Sequence, residues 1–344
     1  MVYIVRTRFK AFTIIFFVLL FVPGCGGKKE ILLTGRTMGT VYHVKAVVGR
    51  FYDGAGLQAK IEKRLEEINH SMSTYRPTSE ISRFNASRKV GEPFPISKDF
   101  LAVMQVAQRV HKLTNGTWDG TVKPLVEMWG FGKGTAPRVP SPEEIAKALS
   151  RVGFEHIEIY DEGRLIKRQG EVTLDLASIA KGYGVDQIAE VLREDGVADF
   201  LVEIGGEVVA SGKRLDGADW KIGINNPQPT AAVNAVYKVL KLQDQALATS
   251  GDYRNFFEVN GKRYSHVIDP RSGYPVSNGV ISVSIIAGTC TLADGLATAV
   301  MVMGPTQGIA LIDHLENVEG LIIVQTNDGI VQEHASKRFK RNLL

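Results

Sequence analysis

The chain has 344 residues, 44% of them hydrophobic and 23% charged, with 35 Gly, 13 Pro and 2 Cys. These values exclude a disordered, collagenous or disulfide-stapled chain, and the length allows one large core or two modest ones. The formal charge is +4; three of the 41 bases, Arg6, Arg8 and Lys10, precede Cys25, and without them 38 bases face 37 acids. That balance leaves no nucleic-acid footprint.

Behind the three bases, Ala11 to Val22 (AFTIIFFVLLFV) is a 12-residue run without charge. A membrane-spanning helix needs about 20 apolar residues, so the run suits the apolar region of an export signal. Val22-Pro23-Gly24-Cys25 resembles a bacterial lipoprotein cleavage box. It implies a signal peptide over 1–24, a lipid on Cys25 and a tether over 25–33. A plain signal peptide or an uncleaved anchor is the competing reading. With Cys25 acylated, Cys290 stands alone in SIIAGTCTLADG and reads as a small buried residue.

Ile31 to Val48 alternates as a strand does, and Leu57 to Ile68 has helical spacing. Ser97 to Leu113 is an amphipathic helix that Ser97 can cap, and Gly130 to Pro142 is a surface loop. Ser141-Pro142-Glu143-Glu144 opens another helix. From 155 onward short strands dominate: HIEIYD, RLIKR, EVTLDL, DFLVEIGGEVVASG and WKIGINN, then Ala235 to Leu242, Ala246 to Ser250, Arg263 to Ile268 and Gly279 to Ile286. Helices are expected over Ser178 to Leu192, Leu292 to Met303 and Thr306 to Leu315. Strands in runs without βαβ alternation predict an α+β fold with antiparallel sheets.

No G-x-G-x-x-G, Walker A or G-x-S-x-G pattern occurs, and the seven His never pair at i, i+4. The common nucleotide cradles, a hydrolase elbow and a zinc-protease helix are therefore unsupported. Three constellations remain. Asp175, Ser178 and Lys181 fall where the strand EVTLDL runs into a helix, whose free N–H groups can receive an anion; a plain N-cap at Asp175 is the alternative. His266, at a strand end before a Pro/Gly turn, is the natural base near neutral pH, against a structural His. Asp294 and Thr298, four apart on a helix, put two oxygens on one face and suit a hard cation such as Mg²⁺. A capping Asp294 with a packed Thr298 is the competing reading. Gly205-Gly206 permits close backbone approach or a hairpin turn.

Nine segments are found in one order: TMGTVYHV (37–44), MSTYRPTSEISRFN (72–85), GTWDGTVKPLVEMWGFG (116–132), LDLASIAKGYGVD (174–186), VEIGGEV (202–208), WKIGINNP (220–227), ALATSGDYRNFF (246–257), SHVIDPRSGYPV (265–276) and TCTLADGLATAVMVMG (289–304). Together they resemble the ApbE family and span nearly all of 34–304. The resemblance implies a bacterial envelope lipoprotein that moves FMN from FAD to a Ser or Thr hydroxyl of a partner flavoprotein, releasing AMP. It implies a two-lobed, T-fold-like α+β architecture with an FAD cleft between the lobes, in one transferase domain over 34–344. Met38 and Tyr75 would pack on the flavin, and Thr117, Trp118 and Asp119 would line the adenosine side, with Trp118 where Phe is usual. Asp175, Lys181 and Ile268 would contact FAD, His266 would be the catalytic base, and Ser178, Asp294 and Thr298 would hold Mg²⁺. The implied partners are FAD, acceptor subunits of membrane redox complexes and the membrane itself, with no nucleic acid, on the periplasmic side of the inner membrane. Two alternatives stay open: an FAD pyrophosphatase giving FMN and AMP, and a non-catalytic flavin-binding lipoprotein. Asp269 is expected to order its turn, and the basic tail (Lys337, Arg338, Lys340, Arg341) to be a solvated end.

Overall fold

The alternating pattern at the start of the domain folds back on itself. Strands β1 (Lys28–Thr37) and β2 (Thr40–Gly49) pair antiparallel, around a turn in which Met38 and Gly39 have φ of 49° and 75°. The single strand expected over Ile31 to Val48 is thus a hairpin, and the left-handed turn matches the twist of the two strands. The expected tether is shorter too, because Lys28 to Leu33 already pair in this ladder. The computed structural model describes residues 27–132, 136–228, 231–232, 235–252, 255–326 and 328–344. Cys25 and the leader lie outside the described residues.

Next come α1 (Gly54–Met72), α2 (Glu80–Ala86), β3 (Pro93–Pro95), α3 (Lys98–Leu113), α4 (Lys123–Met128) and α5 (Pro142–Leu149). Each start that the sequence marks is built as marked. Ser97 accepts from the Phe100 N–H, and Ser141 with Glu144 forms a capping box. Strands β4 (Ile157–Tyr160) and β5 (Arg164–Lys167) follow, then α6 (Ala177–Glu194), β6 (Asp199–Ile204), β7 (Glu207–Ser211), β8 (Trp220–Asn225), β9 (Val236–Leu242) and β10 (Gln245–Gly251). The chain ends with β11 (Phe256–Val259), β12 (Lys262–Ser265), β13 (Val280–Ala287), α7 (Cys290–Met303), α8 (Pro305–His314), β14 (Glu319–Gln325) and β15 (Val331–Ala335).

Eight strands form one sheet in the order β1-β2-β6-β7-β10-β13-β14-β15, every neighbour antiparallel. One face packs on helices: Val44, Ala46, Phe200 and Val202 meet α1 and α6, while Val283, Ile285 and Ile322 meet α7 and α8. The other face is covered by the β8–β9 pair and Phe339. This explains why β13 (VISVSIIA) is buried throughout instead of alternating. A second lobe joins α2, α3 and the small sheet β3-β5-β4 around Phe84, Phe100, Met104 and Trp118. Helix α6 is the partition, sending Val185 and Ile188 into the sheet core and Ile179 and Tyr183 into the second lobe. The α+β, two-lobed expectation holds in this arrangement.

One other expectation gives way. EVTLDL is not a strand: its backbone is satisfied by side chains and a loop instead of a ladder. The Asn85 amide exchanges two hydrogen bonds with Leu174 (2.7 and 2.8 Å), Asp175 N–H donates to the Gly120 carbonyl (2.7 Å), and Lys167 Nζ donates to the Val172 carbonyl (2.8 Å). The basic tail is solvated as expected, with Lys337, Arg338, Lys340 and Arg341 all exposed, but the backbone that carries them is docked. Arg338 pairs with Glu319 at 2.8 Å, Phe339 is fully buried and Leu343 bridges to Leu240.

Candidate active site

The first turn of α6 lies on the seam between the lobes, and its neighbours are set by hydrogen bonds. Asp175 Oδ1 accepts from the Ala177 N–H at 2.9 Å, while the capping position itself is Leu176, which offers no side-chain acceptor. Burial pushes the Asp175 carboxyl above its usual range, against the Ala177 N–H and Lys123. Ser178 Oγ accepts from Trp118 Nε1 at 3.0 Å, so this hydroxyl is engaged. Asp119 is committed inside the protein: it accepts from Thr121 N (2.8 Å), Thr121 Oγ1 (2.6 Å) and Phe154 N (3.0 Å). The side chains of Trp118 and Asp119 therefore build the wall, and the Trp118 backbone is engaged as well, its N–H with Thr114 Oγ1 and its carbonyl with His111 Nδ1. Thr117 differs. Its buried hydroxyl has no hydrogen-bond partner, which leaves it a polar atom to offer.

One turn further, three charges meet in the interior. Lys181 Nζ lies 2.5 Å from Glu207 Oε1, and the Gly182 N–H donates to Asp294 Oδ2 at 3.0 Å. Asp294 sits in the middle of α7, which Thr289 caps, so the capping reading of Asp294 fails. Thr298 Oγ1 is 3.1 Å from Ser250 Oγ on β10. Burial alone would pull Lys181 down, but Asp294 and Glu207 outweigh it and hold the ammonium above the usual lysine range. Burial and Asp294 push Glu207 up to about 7, against the pull of Lys181. Asp294 is also raised, by burial, with Lys181 and the Gly182 N–H opposing. One ammonium facing two buried carboxylates leaves a deficit of positive charge.

The sequence reading does not single out Glu207 or Ser250. For Glu207 a signal existed: it is a carboxylate at the head of the apolar run EVVA, directly after a glycine pair. Gly205 and Gly206 have φ of 62° and 107° and form the tight turn that delivers Glu207 to the start of β7. Ser250 carries no comparable mark.

His266 follows β12, and its Nδ1 lies 2.9 Å from the Asn255 carbonyl, which also accepts the His266 backbone N–H at 3.2 Å. A carbonyl can only accept, so Nδ1 carries the proton and Nε2 keeps its lone pair. Burial lowers the imidazole below its usual range, with the Asn255 hydrogen bond opposing. The ring is thus neutral and basic at Nε2 near pH 7. Asp269 orders the following turn through both its oxygens to Arg271. Ile268 is buried among Leu125, Trp129 and Ile145, so its side chain belongs to that core and only its backbone is available.

Met38 and Tyr75 occupy the same end of the molecule. Asn69, in the last turn of α1, donates to Thr37 Oγ1 at 3.0 Å, tying the Met38 turn to the loop that carries Tyr75. Met38 packs against Gly184 of α6, where a Cβ would come within 2.9 Å of its methyl carbon. Tyr75 is 68% exposed, so it offers aromatic surface to a planar ligand. Among the described residues no three His, Cys, Asp or Glu side chains gather as a metal cluster.

The ApbE family model matches residues 38–322. An FAD:protein FMN transferase from Vibrio cholerae is 43% identical over 94% of this chain and 96% of its own length. One from Haemophilus influenzae is 41% identical over 91% of each chain. The structure of the flavin transferase ApbE from Vibrio cholerae superposes with a TM-score of 0.84 at 42% identity, covering 92% of this chain and all of that one. The fold, the order of its site segments and this similarity agree: the chain belongs to the ApbE family.

Proposed function

We propose that the protein transfers the FMN moiety of FAD to a Ser or Thr hydroxyl of a partner flavoprotein and releases AMP. The observation that carries this reading is the buried charge centre of Lys181, Glu207 and Asp294 at the start of α6, in a chain alignable almost end to end with proteins named for this reaction. The acceptor oxygen forms a bond to the FMN phosphorus as the pyrophosphate bridge breaks, and AMP leaves with the bridging oxygen. The proton released by the hydroxyl goes to His266 Nε2, which the Asn255 carbonyl keeps free and oriented. Lys181 takes up phosphoryl charge. Met38 and the Tyr75 ring support the flavin, and Thr117 with the backbone of Asp119 and Ile268 lines the remainder of the FAD path beside Trp118 and Asp175.

The donor set also fits Mg²⁺. Asp294, Thr298 and the Ser178 carbonyl are hard oxygens, few in number as suits an ion that keeps several waters, and the local charge is short of a cation. When bound, Mg²⁺ supplies neutralisation of pyrophosphate charge. The leader supports a lipid on Cys25, attachment through it, and a place on the periplasmic face of the inner membrane near acceptor subunits of redox complexes.

The test is mass spectrometry of a flavoprotein subunit incubated with this protein, FAD and Mg²⁺. Covalent FMN on a Ser or Thr of the acceptor, with AMP in equal amount, is expected. Free FMN and AMP with an unlabelled acceptor would replace transfer by hydrolysis, and intact FAD would leave only a binding role.

A further inference from the structure

We propose that Glu207 is a second carboxylate of the cation site, opposite Asp294, and that Lys181 stands between the two as a substitute charge when the ion is away. This rests on the cation site of the flavin-transfer reading. The Glu207 side chain is 4% exposed, and its two oxygens are treated unequally. Oε1 holds the Lys181 ammonium at 2.5 Å, whereas Oε2 is buried without a hydrogen-bond partner. An uncompensated carboxylate oxygen in the interior is costly, and the Gly205-Gly206 turn fixes it there.

The surroundings narrow what that oxygen awaits. Asp294 bears on Glu207 from α7, and Lys181, from α6, is the one cation acting on both carboxylates among the described residues. Asp186, the next acid along α6, is occupied elsewhere: it accepts from the N–H groups of Cys290 and Thr291 and from the Thr291 hydroxyl. A single ammonium cannot neutralise two carboxylates. A divalent ion on Asp294 and Glu207 can, and its arrival frees Lys181 to face an anion. Glu207 is a positioning residue in this scheme, setting where the cation sits and whether Lys181 is available to phosphate.

The experiment is Mn²⁺ binding to the full chain without FAD or acceptor, followed by electron paramagnetic resonance and by thermal melting with and without EDTA. Glu207→Gln keeps the shape and the contact to Lys181 but removes the charge. Its Mn²⁺ dissociation constant should rise at least tenfold, while its melting temperature in EDTA equals or exceeds that of the wild type. Lys181→Met should bind Mn²⁺ several-fold more tightly than wild type, since the competing ammonium is gone. This second variant keeps the idea testable if Glu207→Gln folds poorly. Unchanged Mn²⁺ affinity in Glu207→Gln, or weaker binding in Lys181→Met, would overturn the assignment while leaving the flavin reading intact. A wild type that binds no Mn²⁺ would remove the cation site altogether.

Discussion

The two ring nitrogens of His266 are chemically distinct because one carbonyl, that of Asn255, claims Nδ1. His266→Ala should therefore bind FAD within about twofold of wild type, while turnover falls by roughly 10²–10⁴, because a proton acceptor acts in the transition state. Fluorescence quenching by FAD beside a transfer assay separates the two, and parallel losses would make His266 a cofactor-positioning group. The neutral ring is the active form and burial lowers its pKa. Activity is thus lost as pH falls, with a midpoint below the ordinary value of about 6.5. A profile of kcat/KM against pH checks this, and the limb should vanish in His266→Ala. Asp294→Ala should lose transfer by about 100-fold or more with the fold retained, and high Mg²⁺ should restore it only partly; normal transfer in EDTA would refute this. At this scale the sequence exposes residues whose type announces chemistry, as with His266, Lys181 and Asp294. It hides those that matter through partners. Nothing in one dimension says that Trp118 would occupy the Ser178 hydroxyl, or that Asp119 would be spent on Thr121 and Phe154.

Helices α6 and α7 approach so closely that Gly182 has no room for a side chain. A Cβ there would run into the Cys290 carbonyl and lie 2.9 Å from the Asp294 Cβ. Gly182→Ala should cost about 1–3 kcal/mol through overpacking, seen as a melting temperature lower by several degrees. It should also weaken the hydrogen bond that holds Asp294. A melting curve identical to wild type would mean that the two helices slide apart freely. Elements with a strong period or cap were legible, including α3 with Ser97, α5 with its capping box, and α7 with its apolar run. The six-residue EVTLDL misleads because alternation records burial, not pairing: Val172, Leu174 and Leu176 point inward although Asn85 replaces the neighbouring strand. The turn between β1 and β2 was hidden for another reason. Met is an unusual residue at φ of 49°, and that strain is sustained by packing against Gly184 of α6.

For the molecule as a whole, the address and the fold are separate pieces of information. On the lipoprotein reading proposed above, Cys25→Ser should release the protein from membranes or stall its processing, because acyl chains there, at about 0.8 kcal/mol per buried CH₂, would supply the hold. Fractionation of cells checks this, and a wild type found wholly in the soluble periplasm would refute the anchor. The antiparallel class could be anticipated from runs of strands broken by helices, and the two lobes only from the resemblance to the ApbE family. The eight-strand order could not, because its central neighbours, β7, β10 and β13, are joined by long excursions whose length says nothing about where they return. Strand β1 carries a geometric consequence of its own. Its ten residues run from Lys28 to Thr37, beside the Met38 turn, a rigid span of about 33 Å at ~3.3 Å per residue. Lys28 stands at one end of this rod, and the Met38 turn, which the flavin reading proposed above places against the isoalloxazine, stands at the other. Were the chain held to a membrane just before Lys28 with β1 upright on it, Met38 would stand some three nanometres above that surface, and an acceptor hydroxyl would have to reach that height.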